Sequence, residues 1–502
     1  MGKTTLDKDL QKIASLDAAA HDPHRVRTLG LGFLFLLLIL PFIWLVVGDS
    51  PGLFSVMVAG VIGGYMALNI GANDVANNMG PAVGARALTL VGALIIAAVC
   101  EAAGALLAGA DVVSTISKGI VDPSAMADSA SFIRAMMAAL LAAALWTNLA
   151  TWMGAPVSTT HAVVGGVVGV GVAAAGVQAV NWDVMGGIAA SWVISPLLGG
   201  GIAAGVLAFI KITILHKDDK ITAARRWVPV LVAIMAAAFT AYLLAKGLKN
   251  VWKTGSVTWT VAALGMGALV WEITRRSVNR AALRLENTRK AVASLFTIPL
   301  IVSAALLSFA HGANDVANAV GPLAAIVNAA SMAEVASDMA VHVPGWVLVV
   351  GALGISIGLV LFGPKLIHAV GEKITKLDPV RAYCVALSAA VTVIVASAMG
   401  LPVSSTHIAV GGVFGVGFLR EWFVNSRGRE PKVKPVVLGE DGQPVVKTPD
   451  PLKLQKKAEK SRKRRLVRRQ YMTTIAAAWV ITVPLSAGLA ALLYVVMEKV
   501  LG

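Results

Sequence analysis

Long apolar runs, many near 20 residues, alternate along this chain with short charged stretches. About 20 consecutive apolar residues carry an α-helix across the hydrocarbon core of a bilayer. Thirteen such segments are predicted, over 29–48, 52–79, 88–110, 132–153, 156–177, 186–215, 228–247, 255–272, 292–325, 345–368, 380–400, 402–419 and 472–497, some of them broken or re-entrant. Residues 1–28 are largely polar, with neither the short basic start nor the small-residue cleavage site of a secretory leader. The run from Leu29 to Val47 is therefore read as a retained extra helix. The expected fold class is an all-α polytopic membrane protein with twelve to thirteen membrane segments.

The charged residues between the runs test that count. If every segment crosses, one side receives the N-terminal tail, Arg86 and the stretches 211–226, 275–290, 365–381 and 420–469. The other side receives Lys118, Arg134, Lys246, Lys249, Lys253 and Lys499, so 43 Lys and Arg less these six leaves 37 together. Lys and Arg collect on the cytoplasmic side of membrane proteins. The N-terminus is thus expected in the cytoplasm and the C-terminus outside, in a plasma or inner membrane. One wrong crossing would scatter the charges.

Composition agrees: 57% of the 502 residues are hydrophobic and 14% charged, against about 25% charged in soluble domains. The 49 glycines, with abundant alanine, suit close helix packing in lipid. Cys100 and Cys384 both lie in apolar runs, which gives no disulfide framework and no metal-ligand spacing. The basic tract 420–470 has a composition that could meet nucleic acid or anionic lipid. It also fits the charge asymmetry as a solvated cytoplasmic loop, so the net charge of +16 does not call for a nucleic-acid partner.

Two motifs recur. Gly71-Ala72-Asn73-Asp74-Val75-Ala76-Asn77-Asn78-Met79-Gly80-Pro81 matches Gly312-Ala313-Asn314-Asp315-Val316-Ala317-Asn318-Ala319-Val320-Gly321-Pro322 at nine of eleven positions, 241 residues on. Gly154-Ala155-Pro156-Val157-Ser158-Thr159-Thr160-His161 matches Gly400-Leu401-Pro402-Val403-Ser404-Ser405-Thr406-His407, 246 residues on. A third echo pairs Trp192-Val193-Ile194-Ser195-Pro196 with Trp479-Val480-Ile481-Thr482-Val483-Pro484. Two five-segment repeats are expected, 52–215 and 292–497, the second including the basic loop, with linking helices over 228–272. Five segments plus two is odd, so the second repeat starts from the opposite face of the membrane. Inverted repeats around a midplane site are characteristic of secondary transporters.

Asp74 and Asp315 are carboxylates in apolar segments, where charge is costly and usually faces a cavity, a cation or a partner. Asn73, Asn77, Asn314 and Asn318 flank them, and the neighbouring Gly and Pro can interrupt a helix and free its carbonyls. Oxygen ligands of this kind suit a hard cation such as Na⁺ or Mg²⁺; the plainer alternative is an Asp capping a broken helix. The second motif suits an anion. Pro favours the first helical turn, and a helix N-terminus offers free N–H groups and a favourable dipole. Ser158, Thr159, Thr160, Ser404, Ser405 and Thr406 supply six hydroxyls that could ring a tetrahedral oxyanion, or simply cap their helices. Neither motif has a Lys or Arg, so the anion's charge would be met by cations bound at the Asp residues. His161 and His407 fit either a proton relay or a structural role. Glu101, in mid-segment, is a candidate coupling group or a buried hydrogen-bonded acid.

At these motifs the chain resembles the inorganic phosphate transporter family, whose signatures are paired G-A-N-D-x-A-N and P-[VA]-S-[ST]-[ST]-H elements. The resemblance covers about 52–497 and takes in Glu101 and the stretch from Thr115 to Asp122. It implies symport of inorganic phosphate with Na⁺, or with H⁺ as a metal–phosphate complex that could carry Mg²⁺, and a homodimer in lipid. It places Asn73, Asp74, Asn77, Asn314, Asp315 and Asn318, with the six hydroxyls, at the ion and phosphate site. Both halves keep the full motif, which favours Na⁺. Two departures stand out: Ala319 faces Asn78 in the alignment, and the region 383–387, read as the counterpart of Glu101, has no acid. Some relatives carry sulfate instead. An ion channel is the competing class. An intramembrane metalloenzyme using His161, His407 and the Asp pair is another, but no H-E-x-x-H pair is present.

Overall fold

The computed structural model describes residues 23–50, 52–153, 157–247, 255–331, 343–373, 377–426 and 469–501. These residues form helices and turns, and the sole β feature among them is an isolated bridge between Val121 and Val180. The helices are α1 (Pro23–Val47), α2 (Leu53–Gly84), α3 (Leu90–Ala108), the short α4 (Ala110–Ser114), α5 (Ser129–Trp152), α6 (Thr159–Ala175), α7 (Trp182–Ile210) and α8 (Lys220–Tyr242). They continue as α9 (Ser256–Ala282), the short α10 (Arg289–Ser294), α11 (Thr297–Ser331), α12 (Gly345–Lys373), α13 (Pro379–Ala398), α14 (Ser405–Ser426) and α15 (Arg469–Leu501). Each expected segment holds one long helix, and the protein is a multi-pass membrane protein. Among the described residues eleven helices are long and apolar enough to cross a bilayer. The two expected segments outside that group are α6, with 17 residues, and α14, which carries Arg420 and Glu421.

Helix starts are set by side chains that satisfy the free N–H groups of the first turn. Thr89 accepts from Gly92 at the start of α3, Asp128 from Ser131 before α5, Asn181 from Val184 before α7, and Asp378 from Arg381 before α13. At the far end of α13, Gly400 takes a left-handed φ of 70° and Leu401 N–H reaches back to the Ala396 carbonyl at 3.0 Å. Glycine tolerates that conformation, so the helix stops there.

One expectation fails. The Gly and Pro residues around the Asn-Asp motifs do not interrupt their helices: α2 and α11 run straight through, with Pro81 and Pro322 inside them. A membrane helix tolerates an internal Pro when neighbouring groups satisfy the freed carbonyl. The breaks in the protein interior fall at the Ser/Thr motifs, where α6 and α14 begin.

The buried share of the apolar window is 72% in α5 and α13 but 17% in α1 and 11% in α9. The core is thus α2, α5, α11 and α13, and the periphery presents Leu37, Leu38, Leu264 and Leu269 outward, as a lipid-facing surface requires. Packing is exchanged between the halves: α2 lies on α12 as α11 lies on α3, and α6 lies on α15 as α14 lies on α7. Glycines make these crossings close. A Cβ on Gly71 would collide with the Ile355 carbonyl, and one on Gly312 with that of Glu101. A Cβ on Gly169 would meet Ala487, and one on Gly415 would meet Gly200, backbone to backbone. Gly312→Ala is therefore expected to cost about 1–3 kcal/mol or more and to lower the thermal midpoint of purified protein. Gly186→Ala, with nothing within 4 Å of the added carbon, is the control. Equal midpoints for both variants would show that α3 and α11 separate freely.

The same crossings correct the assignment of the Glu101 counterpart. Gly71 faces Ile355 as Gly312 faces Glu101, so the repeat-equivalent of Glu101 is Ile355 in α12, not a residue of 383–387 in α13. The position is apolar, so Glu101 still lacks an acidic twin.

Candidate functional site

The two Asn-Asp motifs meet the two helix starts in the protein interior. Asp74, Asp315, Asn73, Asn77, Asn314, Asn318 and all six hydroxyl residues are buried. Thr159 donates to Asp74 Oδ2 at 3.0 Å, and in the other half Ser405 donates to Asp315 Oδ2 at 2.9 Å. Thr406, from the second half, also donates to Asp74 Oδ1 at 3.0 Å and accepts from Asn77 Nδ2 at 2.8 Å. Its counterpart Thr160 accepts from Asn318 Nδ2 at 3.1 Å, yet donates to the Val403 carbonyl at 3.0 Å instead of to Asp315.

The remaining motif residues shape the helix starts. Asn73 donates to Thr151 and Asn314 to Ser397, each at 2.9 Å and at matched positions of the two repeats. Asn314 also accepts from Val403 N–H at 3.2 Å and donates to the Leu401 carbonyl at 3.1 Å, which pins the turn before α14. Ser158 and Ser404 act as N-caps, accepting from the His161 and His407 amides at 3.2 and 3.3 Å. Their lone pairs are used in capping, while their O–H protons remain able to donate. Pro156 lies outside the described residues, as does most of the basic loop. Asn73 Oδ1 and Asn318 Oδ1 are buried acceptors without a hydrogen-bond partner among the described residues. They are suited to a cation.

His161 and His407 contact each other edge to face, with ring centroids 4.4 Å apart. His161 packs on Trp192 at 3.8 Å and His407 stacks on Trp479 at 3.5 Å. Their closest ring partners are thus one another and the two tryptophans.

His311 is the residue that sequence reading missed. It is fully buried, with Nε2 at 2.8 Å from Asp315 Oδ2 and 3.8 Å from Asp74 Oδ2. Its Nδ1 lies 3.2 Å from Glu101 Oε2, and Asn78 donates to Glu101 Oε1 at 2.8 Å. The signal lay one residue before the quoted motif, where Ile70 stands in the first copy and His311 in the second. Asn78, Glu101 and His311 thus form one connected polar group, and their repeat counterparts Ala319, Ile355 and Ile70 are all apolar.

Among the residues whose side chains are described, no Lys or Arg is buried. An anion at the helix starts would therefore meet amide N–H groups and hydroxyls, and would need cations to balance its charge. The model of the phosphate transporter family matches residues 70–490 of this chain. The chain belongs to that family. A Helicobacter pylori (strain J99) protein named "Putative phosphate permease" is 48% identical over 486 residues, which cover 89% of this chain and 91% of the relative. One of the same description from Pyrococcus abyssi is 39% identical over 362 residues, covering 72% of this chain and 88% of the relative. A solved structure described as the sodium-dependent phosphate transporter superposes with a TM-score of 0.76 at 32% identity, over 89% of this chain and 100% of that one. The family is one of transporters, not enzymes, and the chain is a membrane protein of phosphate transport.

Proposed function

We propose that the protein imports inorganic phosphate by symport with Na⁺. Phosphate sits against the starts of α6 and α14, on Ser158, Thr159, Thr160, Ser404, Ser405 and Thr406 with Asn73 and Asn314, of which Asn314 also pins the turn before α14. The coupling cations sit at Asp74 and Asp315 with Asn77 and Asn318, and Glu101 supports them from behind. The observation that carries this reading is that hydroxyls of both helix starts reach the two buried carboxylates, with no buried Lys or Arg among the residues whose side chains are described. Anion and cation positions then share oxygen neighbours, and each ligand supplies the charge the other lacks. The likeness to a sodium-dependent neighbour supports Na⁺ over H⁺ or a Mg²⁺–phosphate complex.

The test is uptake of labelled phosphate into proteoliposomes, with Na⁺, H⁺ and Mg²⁺ gradients imposed one at a time. A Na⁺ gradient is expected to drive accumulation above the external concentration, and unlabelled sulfate is expected to compete poorly. Accumulation driven by a proton gradient alone would replace Na⁺ as the coupling ion, and current without accumulation would indicate a channel.

The same reading includes inverted repeats, 52–215 and 292–497, with a cytoplasmic N-terminus and an external C-terminus. A helix pair that meets inside the protein, α5 with α6 or α13 with α14, leaves the parity of later segments unchanged whether the pair crosses or turns back. Impermeant labelling of single cysteines is expected to place 420–470 inside the cell and residue 501 outside. Labelling of both from one face would sink the inverted arrangement.

A further inference from the structure

Where the charged end of α8 lies on the charged end of α9, the two helices enclose a cleft of about 430 Å³. Its walls are Arg225, Arg226 and Val230 of α8 and Trp271, Arg275 and Asn279 of α9. None of these residues belongs to the transport site. We propose that this cleft binds the headgroup of an anionic glycerophospholipid, with the guanidinium groups on its phosphodiester and the acyl chains along the outer face of α9.

The positive charge in the cleft lacks a matching anion. Arg225 gives Nε–H to Asn279 Oδ1 at 2.7 Å, a bond from one helix to the other. It holds the guanidinium plane in place while both Nη groups remain able to donate. Arg226 lies over the Trp227 ring, 5.6 Å from its centroid. Neither arginine makes a salt bridge among the described residues, and the nearby Asp219 is engaged in capping α8 through Thr222 N–H. Arg275 shares Glu272 with Arg276, at 3.3 and 2.7 Å, so one carboxylate serves two guanidinium groups. The planar fork of an arginine matches the paired oxygens of a phosphate group.

The depth of the cleft selects a lipid over a free ion. Toward the apolar side of the helix pair, Ile234, Leu264 and Leu269 are exposed. Only 11% of the apolar window of α9 is buried, so lipid covers this face. Trp271 stands at the headgroup level, where aromatic side chains collect. In the other direction Arg276, Arg280 and Arg284 follow. A hydrated phosphate ion gains nothing from Val230 and Trp271, whereas a phospholipid brings chains that cover the leucines beyond them. Basic pockets between membrane helices at this level take anionic headgroups, and the volume suits one, since small-molecule sites span about 300–1,000 Å³. A lipid held there bridges the two helices that link the repeats.

The experiment uses the full chain, purified in detergent and stripped of lipid. It is titrated with phosphatidylglycerol and separately with phosphatidylcholine, and bound lipids are counted by native mass spectrometry. Wild type is expected to take its first phosphatidylglycerol roughly tenfold or more tighter than its first phosphatidylcholine. Arg225→Gln with Arg275→Gln should lose roughly 10- to 30-fold in phosphatidylglycerol affinity and with it the preference. Arg280→Gln with Arg284→Gln removes the same charge from exposed positions outside the cleft and should leave the preference unchanged. If the cleft pair fails to fold, Arg226→Gln repeats the test with a single exposed change. No preference in wild type, or equal losses in the two double variants, would overturn the site. Displacement of phosphatidylglycerol by excess inorganic phosphate would give the cleft to the free ion instead. A cleft variant that loses a dimer while keeping its phosphatidylglycerol would give this face to a second copy of the chain.

Discussion

Asp315→Asn and Asp74→Asn are each expected to cut Na⁺-driven phosphate uptake by roughly 30-fold or more, with folded protein still in the membrane. The amide keeps the shape of the carboxylate and one acceptor oxygen, but it loses the charge that holds a cation. It also turns an N–H₂ toward groups that now donate. Asp74 accepts from Thr159 and Thr406, and Asp315 from Ser405 and Asn318; in Asp74→Asn one of the two hydroxyls, and in Asp315→Asn either Ser405 or the Asn318 amide, must turn away or go unpaired. Asp315→Asn should be the more severe, because Nε2 of His311 loses its nearest carboxylate, 2.8 Å away. Initial rates of labelled uptake, normalised to protein in the membrane, give the comparison. Near-normal rates in both variants would show that these carboxylates do not couple transport.

The second large effect is mutual. If phosphate and Na⁺ share oxygen neighbours in a low-dielectric interior, each should raise the affinity of the other by the same factor. A coupling of about 1–3 kcal/mol corresponds to roughly 5- to 150-fold. Calorimetry on purified protein measures four affinities: phosphate with and without Na⁺, and Na⁺ with and without phosphate. The cleanest variant for the anion side is Ser158→Gly with Ser404→Gly. Both serines cap their helices and do not bond to the Asp residues, and glycine at an N-cap costs only a few tenths of a kcal/mol relative to serine. That pair should weaken phosphate binding while leaving Na⁺ binding in the absence of phosphate nearly intact. Phosphate affinity indifferent to Na⁺ and to every other candidate cation would dismiss the shared site even in a working transporter.

Most of the helical plan was legible because membrane segments announce themselves by length. Each of the thirteen runs holds a helix, and the described residues of the recurring motifs meet in the protein interior. Three local features were not legible, for separate physical reasons. The Gly and Pro residues near Asp74 and Asp315 read as helix breaks, but packing held α2 and α11 continuous. The family resemblance pairs Glu101 with 383–387 in α13, whereas glycine-mediated backbone contact pairs it with Ile355. His311 escaped because the repeat was read for identity. The residues that differ between the copies, Ile70 against His311 and Ala319 against Asn78, are where the two halves part in chemistry.

The glycine contacts also fix which helices can travel together. A seam such as Gly169 on Ala487 or Gly415 on Gly200 joins backbone to backbone and has no side chain that could change rotamer to let one helix slide. α6 is thereby tied to α15 and α14 to α7, while Gly71 and Gly312 tie α2 to α12 and α11 to α3. The carboxylates ride on the second set of pairs and the hydroxyls on the first. If phosphate lies on the hydroxyls and the cation on the carboxylates, as proposed, a shear of about 1–2 Å between the two sets, the scale on which packed helices shift, would draw the two positions apart in one stroke. On the proposed reading, cargo and coupling ion would then lose each other's charge together, because neither set carries both positions.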